Sequence, residues 1–361
     1  MHNSEKNIIV SFTSYPARIK YVEKVLSSLF VQTFPAKKIV LYLSKDEFPE
    51  MEKELPYNLK ILIGKNNFEI RWVSENLKPH KKWIYAFRDF PNDLVITVDD
   101  DVYYPKDMIE TLYESYKRFP NCVSALRTHQ IAVKDNKILP YRYWIYEDSE
   151  SINRPSLLLF ATGAAGVLYP VDLFDSSLFD ENLIKKLCLC ADDIWLKYME
   201  LSSDIPVVLP RKFFDLNFID DSQKEGLCYV NNSEDEPMND IQIHELCDYL
   251  KSIYGTDIFT EKILSASKEL DLQEELYKRI NKLELEVKSL QKKLDAEKRS
   301  LSYRVGSFIT LVPRRIKTLC VDLNEQKQIS QNEEKIRSYY ENSNCWKITK
   351  PIRAFMKLIK K

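Results

Sequence analysis

At 361 residues, 44% hydrophobic and 12% aromatic, the chain can bury a globular core, which excludes a disordered or fibrous protein. Its 6 Gly stand against 16 Pro, and neither G-x-G-x-x-G nor G-x-x-x-x-G-K-[ST] occurs, which excludes the two glycine-rich phosphate loops. The net charge of −1 hides an asymmetry: residues 298–361 carry a net +10, residues 256–297 a net −2 and residues 1–255 a net −9. An acidic body with a basic tail points to an anionic surface, membrane or nucleic acid, as the tail's partner. The seven cysteines form no C-x-x-C pair, and Cys188-Leu189-Cys190 stands too much alone for a zinc site. The first residues are polar with no secretory apolar region behind them, and no run of 18 apolar residues exists to span a bilayer. The expected compartment is the cytoplasm, with reduced thiols.

Ile8-Ile9-Val10-Ser11-Phe12 reads as the first strand, ended by Thr13-Ser14-Tyr15-Pro16-Ala17-Arg18, a turn in which Pro breaks pairing. A helix is expected over about 19–32, with Val22, Val25, Leu26, Leu29 and Phe30 on one face. Residues 38–44 form the second strand, which completes a parallel, right-handed β-α-β unit. Residues 59–63 and 68–73 read as two further strands, and Pro79 opens a helix that carries His80, Lys81 and Lys82. Leu94-Val95-Ile96-Thr97-Val98 is a buried central strand by its β-branched run, and Pro105 opens a helix to about Arg118. Strands and helices in alternation argue for an α/β fold with a mostly parallel sheet.

Beyond Pro120 the alternation lapses. Residues 122–126, 156–161 and 166–169 are strand-like, with long connections that hold Arg127, His129, Tyr141 and Trp144. Gly163-Ala164-Ala165-Gly166 reads either as a tight packing turn or as a loop that lets a ligand approach the backbone. A helix starts at Asp192-Asp193, where either residue has the chemistry of an N-cap. Further on, Leu276, Ile280, Leu283, Val287, Leu290 and Leu294 alternate spacings of four and three. That is an a/d seam suited to a homodimer through 270–298, the alternative being a lone surface helix. Residues 301–316 and 346–361 mix apolar and basic types, which suits amphipathic segments on an anionic bilayer or basic helices packed on the acidic body. The expected organisation is a catalytic domain over 1–255, a helical linker and coiled coil over 256–300, and a basic amphipathic tail over 301–361.

The chemistry sits where strand 94–98 runs into Asp99-Asp100-Asp101. Acids at the carboxyl end of a central strand lie at the edge where open α/β sheets bind ligands. Three adjacent carboxylates repel one another unless a cation neutralises them, and hard oxygen ligands suit Mg²⁺ or Mn²⁺ that also holds substrate phosphates. The competing reading is a solvated acidic turn. Asp192-Asp193 stands about 90 residues further on. One chemistry uses both clusters: a metal at the first neutralises a diphosphate leaving group, and a carboxylate of the second takes the proton of an attacking hydroxyl. That is transfer of a sugar from a nucleoside-diphosphate sugar. Lys81, Lys82, Arg127 and Arg18 are the cations placed at strand ends to hold the phosphates.

Several segments in order carry a family resemblance. They are Ser11-Phe12-Thr13-Ser14-Tyr15-Pro16-Ala17-Arg18-Ile19, Glu69-Ile70-Arg71-Trp72, His80-Lys81-Lys82, Ile96-Thr97-Val98-Asp99-Asp100-Asp101 with Tyr104-Pro105-Lys106-Asp107, Pro140-Tyr141 with Trp144, Thr162-Gly163-Ala164-Ala165-Gly166-Val167-Leu168-Tyr169-Pro170, and Ala191-Asp192-Asp193-Ile194-Trp195. Through them residues 1–255 resemble the bacterial family-2-like glycosyltransferases of the glycosyltransferase-A fold, whose mixed, mostly parallel sheet is flanked by helices. The resemblance implies that Asp99 and Asp101 form the D-x-D pair that binds the divalent ion. Thr13, Tyr15, Arg18, Lys81, Lys82, Asp99 and Asp100 are then the donor-binding set. Asp193 would be the base of an inverting displacement, with Asp192 beside it.

The resemblance and the basic tail together imply a glycan or lipid-linked glycan acceptor at the inner face of the plasma membrane, in surface polysaccharide synthesis, with no nucleic acid as partner. One segment departs from the family, because the Asp-rich loop that holds the base in many members is here Ser44-Lys45-Asp46-Glu47-Phe48. His244 reads as a solvated helix-face residue or as a group reaching the metal. The alternatives to a transferase are a sugar-nucleotide pyrophosphorylase, which opens with a glycine-rich loop that Ser14-Tyr15-Pro16 lacks, and a degenerate enzyme serving as a coiled-coil scaffold.

Overall fold

The computed structural model describes residues 6–147, 149–212, 215–220, 222, 238–299, 317–321 and 324. The basic segments 301–316 and 346–361 lie outside the described residues. Strands β1 (Ile8–Thr13), β2 (Lys38–Ser44), β3 (Phe68–Val73) and β4 (Leu94–Thr97) are parallel, in the spatial order β4-β1-β2-β3. Side chains along a strand alternate between faces, and both faces here are covered. Ile8, Val10 and Phe12 share a buried cluster with Val22, Val25, Leu26 and Leu29 of α1 (Val22–Leu29). Each such aliphatic side chain, fully buried, stabilises the fold by about 1.5–3 kcal/mol. The opposite face meets a helix over 81–89.

The expected strand over 59–63 is instead a short helix, α2 (Tyr57–Lys60), entered from Pro56. Leu59 is buried, but Ile61 and Ile63 are 45% and 38% exposed, so their alternate spacing marks no sheet face. The helix expected over 19–32 is a 3-10 turn, Ile19–Tyr21, followed by α1, and it stops at Leu29.

Helix α3 (Lys81–Asp89) crosses the second face of the sheet, where the Ser11 hydroxyl donates to the Lys82 carbonyl at 2.5 Å and the Tyr42 hydroxyl to Asp89 at 2.7 Å. β5 (Val102–Tyr103) follows β4, and α4 (Met108–Arg118) returns Met108, Ile109 and Leu112 to the α1 side. β6 (Val123–Ala125) then enters the main sheet. β7 (Thr128–Gln130) leaves it for a small antiparallel one, and β8 (Val133–Lys134) and β9 (Lys137–Ile138) form a hairpin. β10 (Ile145–Tyr146) and β11 (Leu159–Ala161) flank β7. β12 (Val167–Pro170) inserts antiparallel between β4 and β6, and β13 (Val207–Val208) adds parallel to β6. The main sheet therefore runs β13-β6-β12-β4-β1-β2-β3, mixed and mostly parallel with flanking helices, as expected. β14 (Asn217–Phe218) pairs with β5.

Helix α5 (Glu181–Leu187) is capped by the Asp180 carboxylate, which accepts from the backbone of Asn182 and Leu183. A turn over 188–191 leads into α6 (Asp192–Ser202), and α7 (Met238–Tyr254) and α8 (Ile258–Arg299) follow. The chain divides into two compact units, with the break between Leu264 and Ser265. In the first unit the opening of α8 buries Phe259 and Ile263. In the second, Ile280, Val287 and Leu290 are buried and Leu276, Leu283 and Leu294 half-buried, while Lys278, Lys282, Lys288 and Lys292 are exposed. Burial thus follows the a/d seam. Among the described residues no helix is long and apolar enough to cross a membrane.

Candidate active site

β1 and β4 are adjacent and parallel, with Ser11 opposite Thr97, so their carboxyl ends open side by side. The Ser14 hydroxyl, three residues past Ser11, donates to Asp100 Oδ2 at 2.5 Å. Arg18 reaches back from the same loop, with Nη1 3.0 Å from Asp100 Oδ1 and Nη2 2.8 Å from Asp101 Oδ2. Asp99 is met from the other side by Lys82 of α3, at 2.7 Å. The three-carboxylate run therefore carries two built-in counter-charges, and its repulsion does not by itself require an outside cation.

The loop after Asp101 is fixed by Tyr104, whose hydroxyl accepts from the Asp99 backbone N–H at 2.7 Å and donates to the Ala164 carbonyl at 3.0 Å. That carbonyl belongs to the 163–166 turn, which two glycines make possible. Gly166 has φ +101°, and a Cβ there would lie 3.2 Å from the Met108 sulfur. A Cβ on Gly163 would lie 3.0 Å from Lys82 Nζ and 3.4 Å from Asp193 Oδ1. The bare backbone at Gly163 is what lets it touch charged groups, and its N–H donates to Asp193 at 3.2 and 3.4 Å.

Asp192 and Asp193 stand in the first turn of α6, where the helix dipole favours carboxylates. Neither is the N-cap. That position is Ala191, with no side-chain cap bond. Lys82 Nζ lies 3.0 Å from Asp192 Oδ2, so one ammonium serves both acidic clusters. Burial pulls the Lys82 pKa down, but Asp192, Asp99 and Asp193 outweigh it and hold it well above the ordinary lysine value. Burial and then Asp192 push the Asp193 pKa well above the ordinary carboxylate range, against the pull of Lys82 and of the Gly163 N–H.

All of these groups face one cavity of about 590 Å³, within the range of small-molecule sites. Thr13, Tyr15, Arg18, Lys81, Lys82, Asp99, Asp100, Asp101, Asp192 and Asp193, the whole set named from sequence, line it. Arg127 and Tyr141 line it too, with Arg127 Nε 3.1 Å from Glu147. Lys81 is buried against Glu47 and Asn76, so its ammonium is engaged by protein groups. In the loop after β2 it is Glu47, not Asp46, that reaches the cavity. His244 lies on an exposed face of α7, 3.6 Å from Asp248, outside the cavity lining.

Ser14, Glu47, Lys78, Phe160, Phe218 and Asn239 line the cavity without having been singled out in the sequence. Ser14 stood between two named residues in a strand-end loop, which was signal enough. Asn239 comes from a helix more than 130 residues beyond the acids, and local pattern carries no trace of it.

Among the described residues no cluster of three or more His, Cys, Asp or Glu forms a ready metal cage. The hard carboxylates at 99–101 fit a divalent ion bound through one or two protein oxygens, with substrate phosphates completing its shell. A set of this kind can bind a diphosphate, neutralise it as it leaves, and take up a proton at Asp193.

Residues 8–173 match the family model described as Glycosyl transferase family 2. No curated protein matches the chain. Among solved structures, S. aureus TarS 1–349 in complex with UDP-GlcNAc is 15% identical over 69% of this chain and 72% of that one, with a TM-score of 0.38. The mannosyltransferase PcManGT from Pyrobaculum calidifontis, in complex with GDP-Man and Mn²⁺, is 13% identical over 89% of this chain and 88% of that one, with a TM-score of 0.43. A UDP-glucose pyrophosphorylase from Acinetobacter baumanii is 10% identical over 65% and 97%, with a TM-score of 0.35. These scores all lie below 0.5, and the assignment rests on the family match, to which the sheet order and the carboxylates at the strand ends conform. Residues 8–173 are a family-2 glycosyltransferase domain, set in a glycosyltransferase-A type fold.

Proposed function

We infer that the protein is an inverting glycosyltransferase that moves a sugar from a nucleoside-diphosphate sugar to a hydroxyl of a glycan or lipid-linked glycan. The observation that carries this is the single cavity holding both the 99–101 acids and Asp193. Asp99 and Asp101 would hold Mg²⁺ or Mn²⁺, which supplies Lewis-acid neutralisation of the departing diphosphate. The loop with Thr13, Tyr15 and Arg18 binds the nucleoside end of the donor, and Lys82 adds positive charge beside Asp99. Asp193 takes the proton of the acceptor hydroxyl while that oxygen attacks the anomeric carbon. The bond from that carbon to the phosphate oxygen breaks, and its electron pair leaves with the nucleoside diphosphate. Burial makes Asp193 a stronger base than an exposed carboxylate, which brings it nearer the working pH of a general base.

The setting is the cytoplasmic face of the membrane, in surface polysaccharide synthesis. The net +10 of residues 298–361 supports contact with anionic lipid, and the a/d spacing of apolar residues along α8 supports a homodimer through 270–298. The test is donor hydrolysis and transfer with UDP-glucose, UDP-galactose, UDP-GlcNAc and GDP-mannose in the presence of Mn²⁺. At least one should turn over, and Asp193→Asn should lower that turnover roughly 10²–10⁴-fold while donor binding persists. A loss smaller than tenfold would remove Asp193 from the role of base.

A further inference from the structure

His80 is fully buried, lies outside the cavity lining, and has both ring nitrogens engaged. The Trp83 indole N–H, one turn along α3, points at His80 Nδ1 from 3.1 Å. An indole nitrogen can only donate, so Nδ1 must be the acceptor and the ring proton must sit on Nε2. That Nε2–H donates to the Cys188 carbonyl at 2.7 Å. The same carbonyl also accepts from the Ala191 N–H at 3.1 Å, the bond that closes the 188–191 turn. Asp192 and Asp193 follow directly. Two residues past His80, Lys82 reaches Asp192 and Asp99.

Two side chains at the N-terminus of α3 thus grip the base-bearing loop, His80 holding its backbone and Lys82 its Asp192 side chain. We propose that His80 is a positioning residue: locked as the Nε2–H tautomer by Trp83, it pins the 188–191 turn through the Cys188 carbonyl and so sets where the Asp193 carboxylate meets the acceptor hydroxyl. The proposal rests on Asp193 being the base. Its physical content is that the pin acts on geometry at a distance. A misplacement of about 1 Å at a reacting group costs on the order of 10²-fold in rate, whereas donor affinity, built by other residues, need not change. The Cys188 thiol plays no part, because only its main-chain oxygen is used.

The test uses the full chain with Mn²⁺ and whichever of the four sugar nucleotides above turns over fastest. His80→Leu keeps bulk but removes both hydrogen-bonding atoms. His80→Gln keeps a donor where Nε2 stood. The expected result is a fall in kcat of roughly 10- to 100-fold for His80→Leu with donor KM within about twofold, and recovery of most of kcat in His80→Gln. In the Asp193→Asn background, His80→Leu should add almost nothing, because the group it positions is already disabled. A further fall of the same factor in that background, beside a full Asp193→Asn effect, would overturn the proposal alone. An Asp193→Asn loss under tenfold would instead overturn the base reading on which it rests. Imidazole ¹⁵N spectra of the unaltered protein at pH 7.5 give an answer that needs neither variant to fold nor a donor to turn over. They should show His80 protonated at Nε2 and bare at Nδ1, and a proton on Nδ1 would refute the pin.

Discussion

The Lys82 ammonium lies 3.0 Å from an Asp192 carboxylate oxygen, which ties the first turn of α3 to the first turn of α6. The same nitrogen is 2.7 Å from Asp99, at the end of β4. Two acidic clusters far apart in the chain therefore share one cation, and neither cluster is electrostatically independent of the other.

Removing that cation should be costly. Lys82 is buried, and its loss leaves Asp192, with its side chain 10% exposed, without its counter-charge. Taking away one partner of a buried pair costs roughly 3–5 kcal/mol. Urea denaturation of Lys82→Met should show a loss of that order. A change under about 1 kcal/mol would mean that water already screens the pair.

Asp101→Ala should leave the fold intact, because Arg18 keeps its 3.0 Å contact with Asp100. It should abolish the metal-dependent part of donor binding, since an oxygen proposed to hold the ion is gone. Calorimetric titration with UDP and GDP, each with and without Mn²⁺, reads this directly. An unchanged Mn²⁺ dependence would remove Asp101 from the metal site.

For Asp193 the sign of the pH effect is fixed by its raised pKa. Below that pKa the carboxyl is protonated and cannot accept the acceptor's proton, so kcat should rise with pH and level off above it. The acid limb should sit above the range of an ordinary exposed carboxylate. The product's anomeric centre should be inverted relative to the donor, as NMR of the glycoside will tell. Retention would be incompatible with a single displacement.

Much of this was legible in the residues. The β-branched run of β4 and the acids that follow it located the cavity edge, and the short apolar run of β1 located the first strand of the sheet. The apolar spacing of Leu59, Ile61 and Ile63 misled, because an alternating trio resembles a half-buried strand whether or not a sheet is beside it. Pro56 and the tight turn after it decide otherwise, and only Leu59 reaches the core. The pairing of Arg18 with Asp100 and Asp101 was hidden for a different reason. Sequence supplies the charges, but which cation answers which acid depends on the register between β1 and β4. The N-cap reading missed by one position for Asp192 and by two for Asp193, because Ala191 takes the cap and both acids fall inside the first turn.

His80 makes acid stability predictable. Burial lowers its pKa from 6.5 to about 4. Between those values the unfolded chain binds a proton that the folded chain refuses, so stability is full above about 6.5 and falls as pH drops toward 4. The loss from this group approaches roughly 3 kcal/mol at one pKa unit per 1.36 kcal/mol. Urea unfolding at intervals from pH 7.5 to 4 should show it, and His80→Gln should flatten that portion of the curve. An equal slope in both proteins would assign the acid sensitivity to other groups.

The tail is tested by cutting the chain at the break after Leu264. Ending at Leu264 keeps Phe259 and Ile263, both fully buried, and the contact of Lys262 with Asp204. Ending at Gly255 removes them, and with two apolar side chains at about 1.5–3 kcal/mol each the shorter chain should unfold earlier in urea. All ten acids, cations and loop residues of the expected site precede either cut, so donor hydrolysis should survive truncation at Leu264. Membrane binding should not. Residues 298–361 carry a net +10, and each basic group near an anionic leaflet contributes on the order of 1 kcal/mol, so engaging half of them would localise the enzyme. The full chain should co-sediment with phosphatidylserine-containing vesicles and release as salt is raised, because surface charges are screened within about 10 Å at 0.1 M. The chain ending at Leu264 should stay in the supernatant at every salt concentration. Equal sedimentation of both would place the lipid contact on the catalytic unit, and loss of donor hydrolysis on truncation would give the tail a part in the active site instead.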